Sequence, residues 1–183
     1  SEAKDLEAQA AKFNEQVDFA EILGAKYLRV FLRTPTKVER SKSLDRAASA
    51  LKPIADYAKS KNVIVVIEPM PRNYSAEGVY LAELAGQMDH PSLRLMPDFG
   101  KMKDADPYGG TVAMMPYTDV VSAKSHEFSE DGESREFDYS KLMKSVVDSG
   151  FNGIVAIEYE GKELGPVEGV KATRALLENY NHR

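Results

Sequence analysis

Four times along this chain a short apolar run stops on a residue suited to metal binding or acid–base work. Val63-Ile64-Val65-Val66-Ile67 meets Glu68 and Pro69. Leu93-Arg94-Leu95-Met96-Pro97 meets Asp98, then Phe99-Gly100. Val120-Val121-Ser122-Ala123-Lys124-Ser125 meets His126-Glu127. Ile154-Val155-Ala156-Ile157, opened by Gly153 and closed by Gly161, meets Glu158. Most of these runs are apolar at successive positions, which predicts buried strands of a parallel sheet with helices over it. A further strand is predicted at 26–31. Between the strands the period changes to that of helices. Leu6, Ala10, Phe13, Val17, Ala20 and Ile22-Leu23 predict a helix over 3–23 with Gly24 as its C-cap. Helices are also predicted at 44–61, where Pro53 implies a kink or a shifted boundary. Others fall at 76–88 behind Ser75 as N-cap, 110–115, 139–149 behind Asp138, and 167–180. The stretches 33–43, 69–74, 99–110 and 127–136 read as loops, the last with a small hairpin at Asp131-Gly132.

Strand and helix thus alternate, which points to an α/β fold with a parallel sheet. No Gly-x-Gly-x-x-Gly follows the first strand and there is no Walker A loop, so the usual nucleotide fingerprints are missing. A (β/α) TIM-type barrel with its site at the C-terminal rim of the strands fits better. An eight-stranded barrel takes about 250 residues, whereas this chain has 183 and five predicted strands. The expectation is one domain over 1–183, a partial barrel lacking roughly the first three strand–helix units. The edge at 26–31 would then be open. Pairing with another chain is one solution to an open edge, so a homo-oligomer is expected.

Composition narrows the function. Hydrophobic residues are 43% and charged residues 29%, ordinary for a globular domain with a sizeable core. A net charge of −5 argues against a nucleic-acid partner, since phosphate binding draws on clustered Lys and Arg. No apolar run approaches a membrane span, and the polar, helix-patterned first twenty residues do not read as a signal peptide. A cytoplasmic location is expected, with a cleaved leader and export as the open alternative. With no cysteine, any metal must be held by oxygen and imidazole. Of His90, His126 and His182, only His126 stands at a strand end.

Strand alternation puts Glu68, Asp98, His126 and Glu158 on the faces of Val66, Met96, Lys124 and Ala156. In a barrel the latter fill the interior and the former crown it. Three carboxylates in one confined site repel one another unless a cation neutralises them. Oxygen donors with one imidazole suit Mn²⁺, Mg²⁺ or Co²⁺, with Zn²⁺ also compatible.

Ile67-Glu68-Pro69, Leu95-Met96-Pro97-Asp98-Phe99-Gly100, Val121-Ser122-Ala123-Lys124-Ser125-His126 and Ala156-Ile157-Glu158-Tyr159-Glu160-Gly161 together resemble the C-terminal part of the xylose isomerase-like TIM barrels. This is the sugar phosphate isomerase/epimerase group related to endonuclease IV. The resemblance implies a metal held by Glu68, Asp98, His126 and Glu158. It makes Glu68 and Glu158 the acid/base pair that moves a proton next to a carbonyl. Two places depart from the family pattern. Ser122 stands where the family has a ligand His two residues before a Lys, and Lys101 stands where it often has a His. His126 is then a ligand from a higher level or a substrate contact. Lys124, Lys101 and Arg72 are candidates for substrate binding, the last two otherwise being solvated. Arg29, Arg33 and Asn73 are further rim candidates.

The function implied is a sugar isomerase or epimerase using metal-assisted proton transfer on a small sugar. A lyase or hydrolase on keto-sugars or oxidised glycosides is one alternative. A catalytically silent carbohydrate-binding protein or barrel fragment is another.

Overall fold

The computed structural model of the chain describes residues 2–104 and 106–180, with side chains from residue 8 onward; His182 lies outside them. Five strands alternate with six α-helices. The order is α1 (Glu2–Ile22), β1 (Tyr27–Phe31), α2 (Arg40–Ser60), β2 (Ile64–Glu68), α3 (Gly78–Met88), β3 (Leu93–Leu95), α4 (Pro107–Met114), β4 (Val120–Ser125), α5 (Tyr139–Asp148), β5 (Ile154–Tyr159) and α6 (Pro166–Glu178). All strand pairs are parallel. β1, β2 and β3 form one ladder and β4 pairs with β5. The bridges Leu95↔Thr118 and Asp98↔Ser122 join the two, so the strands follow one another in chain order. This is a partial TIM-type barrel of the α/β class. No helix among the described residues is long and apolar enough to cross a membrane.

Register sorts the side chains into two faces. Outward, Val30, Val65, Ile67, Leu93 and Leu95 pack with Val17, Leu51, Ile54 and Leu84 of the helices. A second outer cluster joins Val121 and Ala123 to Leu142, Val146 and Leu176. Inward, Val66, Met96 and Val120 meet with Tyr27, Ile64 and Ala156. The inner face of β1, β2, β4 and β5 continues upward through Arg29, Glu68, Lys124 and Glu158, because Arg29 is in register with Val66 and Lys124 with Glu158.

Several expected boundaries shift for local reasons. α2 begins at Arg40 because the Glu39 carboxylate accepts from the amides of Ser41 and Lys42 at 3.0 and 3.2 Å, a cap of unusual residue type. The helix runs on through Pro53 without a break. Ser75 is not a cap: its hydroxyl donates to the Leu32 carbonyl and its amide to Thr34 Oγ1. The start of α3 is held instead by Asp104, which accepts from the Gly78 amide at 2.8 Å. The β3 ladder stops at Leu95, because Pro97 has no N–H and the chain there switches partner, its carbonyl accepting from the Ser122 amide. β5 is corrected most. It was expected to be buried on both faces, yet Ile154 is 51% exposed and the rest of the strand half-buried, since β5 has a strand neighbour on one side only. Gly24 does end α1 in a left-handed turn at φ 67°. Asp138 caps α5 through the Lys141 amide, and the 127–136 loop closes as a hairpin with Gly132 at φ 84°.

Candidate active site

Three carboxylates converge at the C-terminal ends of the strands. Glu68 ends β2, Asp98 follows β3, and Glu158 lies near the end of β5. One oxygen of each lies within 4.8 Å of the others. Glu68 and Asp98 are completely buried. Acids at such depth need partners, and each has them. Glu68 receives Arg29 at 2.7 Å on one oxygen and Lys101 on the other. Asp98 accepts from the Gly100 amide at 2.8 Å. Ser122 Oγ lies 3.0 Å from Asp98 and 2.8 Å from Glu158, bridging the two.

Lys124 enters this group from the middle of β4, with its side chain only 3% exposed. Its ammonium lies 2.8 Å from Glu160, 3.2 Å from Glu158 and 3.7 Å from Asp98. The ammonium is held among them as an ion pair, at angles less direct than an aligned hydrogen bond. The stem needs the space left by Gly100: a Cβ there would stand 2.6 Å from Lys124 Cδ. Tyr139 OH donates to the Lys124 carbonyl at 2.7 Å and so fixes the strand behind it.

The surroundings split the acids. Burial pushes Asp98 up to about 6, although Lys124, the Gly100 amide and Ser122 all act the other way. Burial also opposes ionisation of Glu158, but Ser122 and Lys124 outweigh it and hold this carboxyl down at about 2. Burial would lower Lys124, yet Glu160, Asp98 and Glu158 raise it, so it stays cationic.

Of the residues expected at the site, Glu68, Asp98, Glu158, Lys124 and Lys101 come together. His126 does not join the three acids. It lies just past β4, its Nδ1 2.5 Å from Glu136 and its Nε2 3.6 Å from Glu160, and touches the group only through Glu160. Arg72 is exposed in the loop after β2 at φ 64° and forms no ion pair with the described residues. Asn73 clips loops together, accepting from the Thr34 amide and donating to the Pro71 carbonyl. Arg33 is exposed after β1. Arg29 and Ser122 contribute more to the group than their sequence positions show. Arg29 has an inward register that reveals it only once β1 is paired, and Ser122 reads as the loss of a ligand when it is in fact the hinge between two acids.

The donor set tests the fit of a metal. Three carboxylate oxygens within reach of one another form a cluster able to hold a hard divalent cation. The buried Lys124 ammonium, close to the acids but aligned with none of them, marks the same place as one with room for a ligand oxygen.

A family model described as xylose isomerase-like TIM barrel matches residues 1–180. None of the proteins of curated function matches the chain. Among solved structures it is similar to a 3-keto-D-glucoside 4-epimerase from E. coli (TM-score 0.73, 12% identity, 93% of this chain and 70% of that one). It is also similar to a D-psicose 3-epimerase with D-tagatose from Clostridium cellulolyticum H10 (0.72, 14%, 96% and 70%). A third is a xylose isomerase-like TIM barrel protein from Mycobacterium smegmatis in complex with magnesium (0.69, 16%, 95% and 67%). At these identities the likeness speaks for the fold.

Proposed function

We propose, from the premise that the chain belongs to the xylose isomerase-like TIM barrel family, that it is an isomerase or epimerase of keto-sugars. In this reading Glu68 and Glu158 are the acid/base pair. The observation that carries it is the convergence of these two glutamates, with Asp98 between them, at the rim of the barrel.

Moving a proton at a carbon beside a carbonyl requires a base that is ionised before the reaction and an acid placed to return the proton. Ser122 and Lys124 hold Glu158 as a carboxylate, ionised before the reaction. Glu68, on the neighbouring side of the group, is fixed in direction by Arg29. Delivery to the opposite face of the same carbon of a proton carried by Glu68 as its carboxylic acid, leaving Glu158 protonated and Glu68 ionised, gives an epimer; return of the abstracted proton by Glu158 to the adjacent carbon gives an isomer. Lys124, paired with Glu160 and Glu158, stands within the group, where a substrate oxygen would also accept from its ammonium. His126 and Arg72, placed further out, would contact the outer hydroxyls. A divalent cation, Mn²⁺, Mg²⁺ or Co²⁺ first and Zn²⁺ next, would be held by Glu68, Asp98 and Glu158. It would supply positive charge to the oxygen that turns negative as the proton leaves.

The test is solvent-deuterium incorporation into a panel of keto-sugars, followed by NMR and product analysis. Deuterium should enter at the carbon beside the carbonyl. Glu158→Gln and Glu68→Gln should each slow it by about 100-fold or more, and Glu158→Gln should also lower metal content. Equal exchange in wild type and both variants would end the proton-transfer reading.

A further inference from the structure

Glu68, Asp98 and Glu158 already face three cations of the chain's own, Arg29, Lys101 and Lys124. These cations are not equally placed. Arg29 reaches Glu68 alone from β1, its side chain 47% exposed and its guanidinium 4.8 Å from the Phe31 ring centroid. Lys124 is buried, with its side chain 3% exposed, and pairs with Glu158, Glu160 and Asp98. Lys101 is different. It lies in the loop after β3, its side chain is 21% exposed, and its ammonium touches Glu68 Oε1 while standing 4.0 Å from Asp98 Oδ2. It therefore lies between two of the three acids that would hold a divalent ion. On its other side is the Phe31 ring, 5.0 Å from Nζ, a place where a withdrawn ammonium keeps a favourable contact. The backbone on either side is tied down: the Lys101 amide donates to the Asp98 carbonyl and the Lys103 amide to the Ala76 carbonyl. Only the side chain is free to leave.

We propose that Lys101 is an internal place-holder for the divalent cation, and that metal loading is an exchange in which its ammonium gives way to the ion. This rests on the metal-assisted reading above. An ammonium and a divalent ion repel one another, so both cannot occupy the space between Glu68 and Asp98. Exchange also keeps the charge in hand. With Glu160 included, four acids face two other cations, Arg29 and Lys124. The remaining two negative charges match one divalent ion once Lys101 has left. Buried Lys124 Nζ, close to three carboxylates yet aligned with none of them, is the independent sign that this group has room for a ligand.

The experiment is titration of the EDTA-stripped chain with MnCl₂, followed by calorimetry and by the EPR signal of free Mn²⁺. Wild type should take up one ion, Lys101→Met should bind it at least about tenfold more tightly, and Lys101→Arg, which keeps the charge, should stay near wild type. Thermal melts establish that the variants fold. Equal or weaker binding by Lys101→Met than by wild type overturns the place-holder and leaves the metal site standing. No uptake by wild type or by Lys101→Met overturns both the place-holder and the metal. Deuterium exchange in EDTA then decides separately whether the glutamates act without it.

Discussion

Ser122 has one hydroxyl hydrogen and two carboxylates to serve, Asp98 at 3.0 Å and Glu158 at 2.8 Å. It cannot donate to both at once. A proton on Asp98 resolves the conflict, because Asp98 then donates to Ser122 and Ser122 to Glu158. The shifts agree, with Asp98 raised by burial to about 6 and Glu158 held at about 2. Their consequences for stability have opposite signs. Glu158 is lower folded than its ordinary 4.5, so its contribution is present above that value and is lost as pH falls toward about 2. Asp98 is higher folded than its ordinary 3.8, so the folded state is favoured while the proton is on and loses stability as pH rises through about 6. In metal-free protein, denaturant unfolding should therefore show a loss between about pH 4 and about pH 7. That loss should be absent in Asp98→Asn and amount to about 2–3 kcal/mol. Parallel curves for the two proteins would mean that Asp98 does not titrate there. The acids and Lys124 were legible in the sequence because each breaks an apolar run on the same alternating face. His126 misled for the same reason: its spacing puts it on that face, but it comes after Ser125 has ended the strand, and its ring turns to Glu136.

At the scale of elements, what could be read was what is local. Periodicity found every α-helix and every strand, and Gly24 and Asp138 marked ends whose partners lie within a few residues. What failed was non-local or atypical. The cap of α3 comes from Asp104, 26 residues away from the amide it serves, and no window around Ser75 contains it. The exposure of β5 depends on which strands stand beside it, and its own apolar run carries no sign of that. Pro53 is the remaining puzzle of this kind. It is exposed inside α2, where its ring lacks the N–H that would bond to the preceding turn. Pro53→Ala restores that bond and removes no buried contact. It should raise unfolding stability by about 1–3 kcal/mol, reduced by the stiffness proline gives the unfolded chain. A fall in the melting temperature would show that α2 needs the irregularity.

For the whole molecule the decisive feature is that the array of strands does not close. Among the described residues β1 pairs only with β2, and β5 only with β4, so each leaves one row of backbone groups unpaired. Apolar side chains lie close in sequence to these edges: Ile154 of β5 is 51% exposed, and Ile22 and Leu23, just before β1, are 77% and 80% exposed. Unpaired edges beside apolar surface invite strand pairing with another chain. The net charge of −5 is modest opposition. Purified chain should therefore be larger than one subunit by sedimentation and light scattering. Leu23→Glu combined with Ile154→Lys, which charges the surface near both edges and leaves the acid cluster untouched, should shift it toward the monomer. The same argument reaches the site. Glu68 and Glu158 stand at the rim of an open arc, so whatever covers its edges also walls in the substrate and excludes water. If pairing does this, deuterium exchange per chain should rise with protein concentration in wild type and stay flat and low in the double variant. A strictly monomeric wild type with concentration-independent exchange would show that the five-stranded arc shields its site unaided.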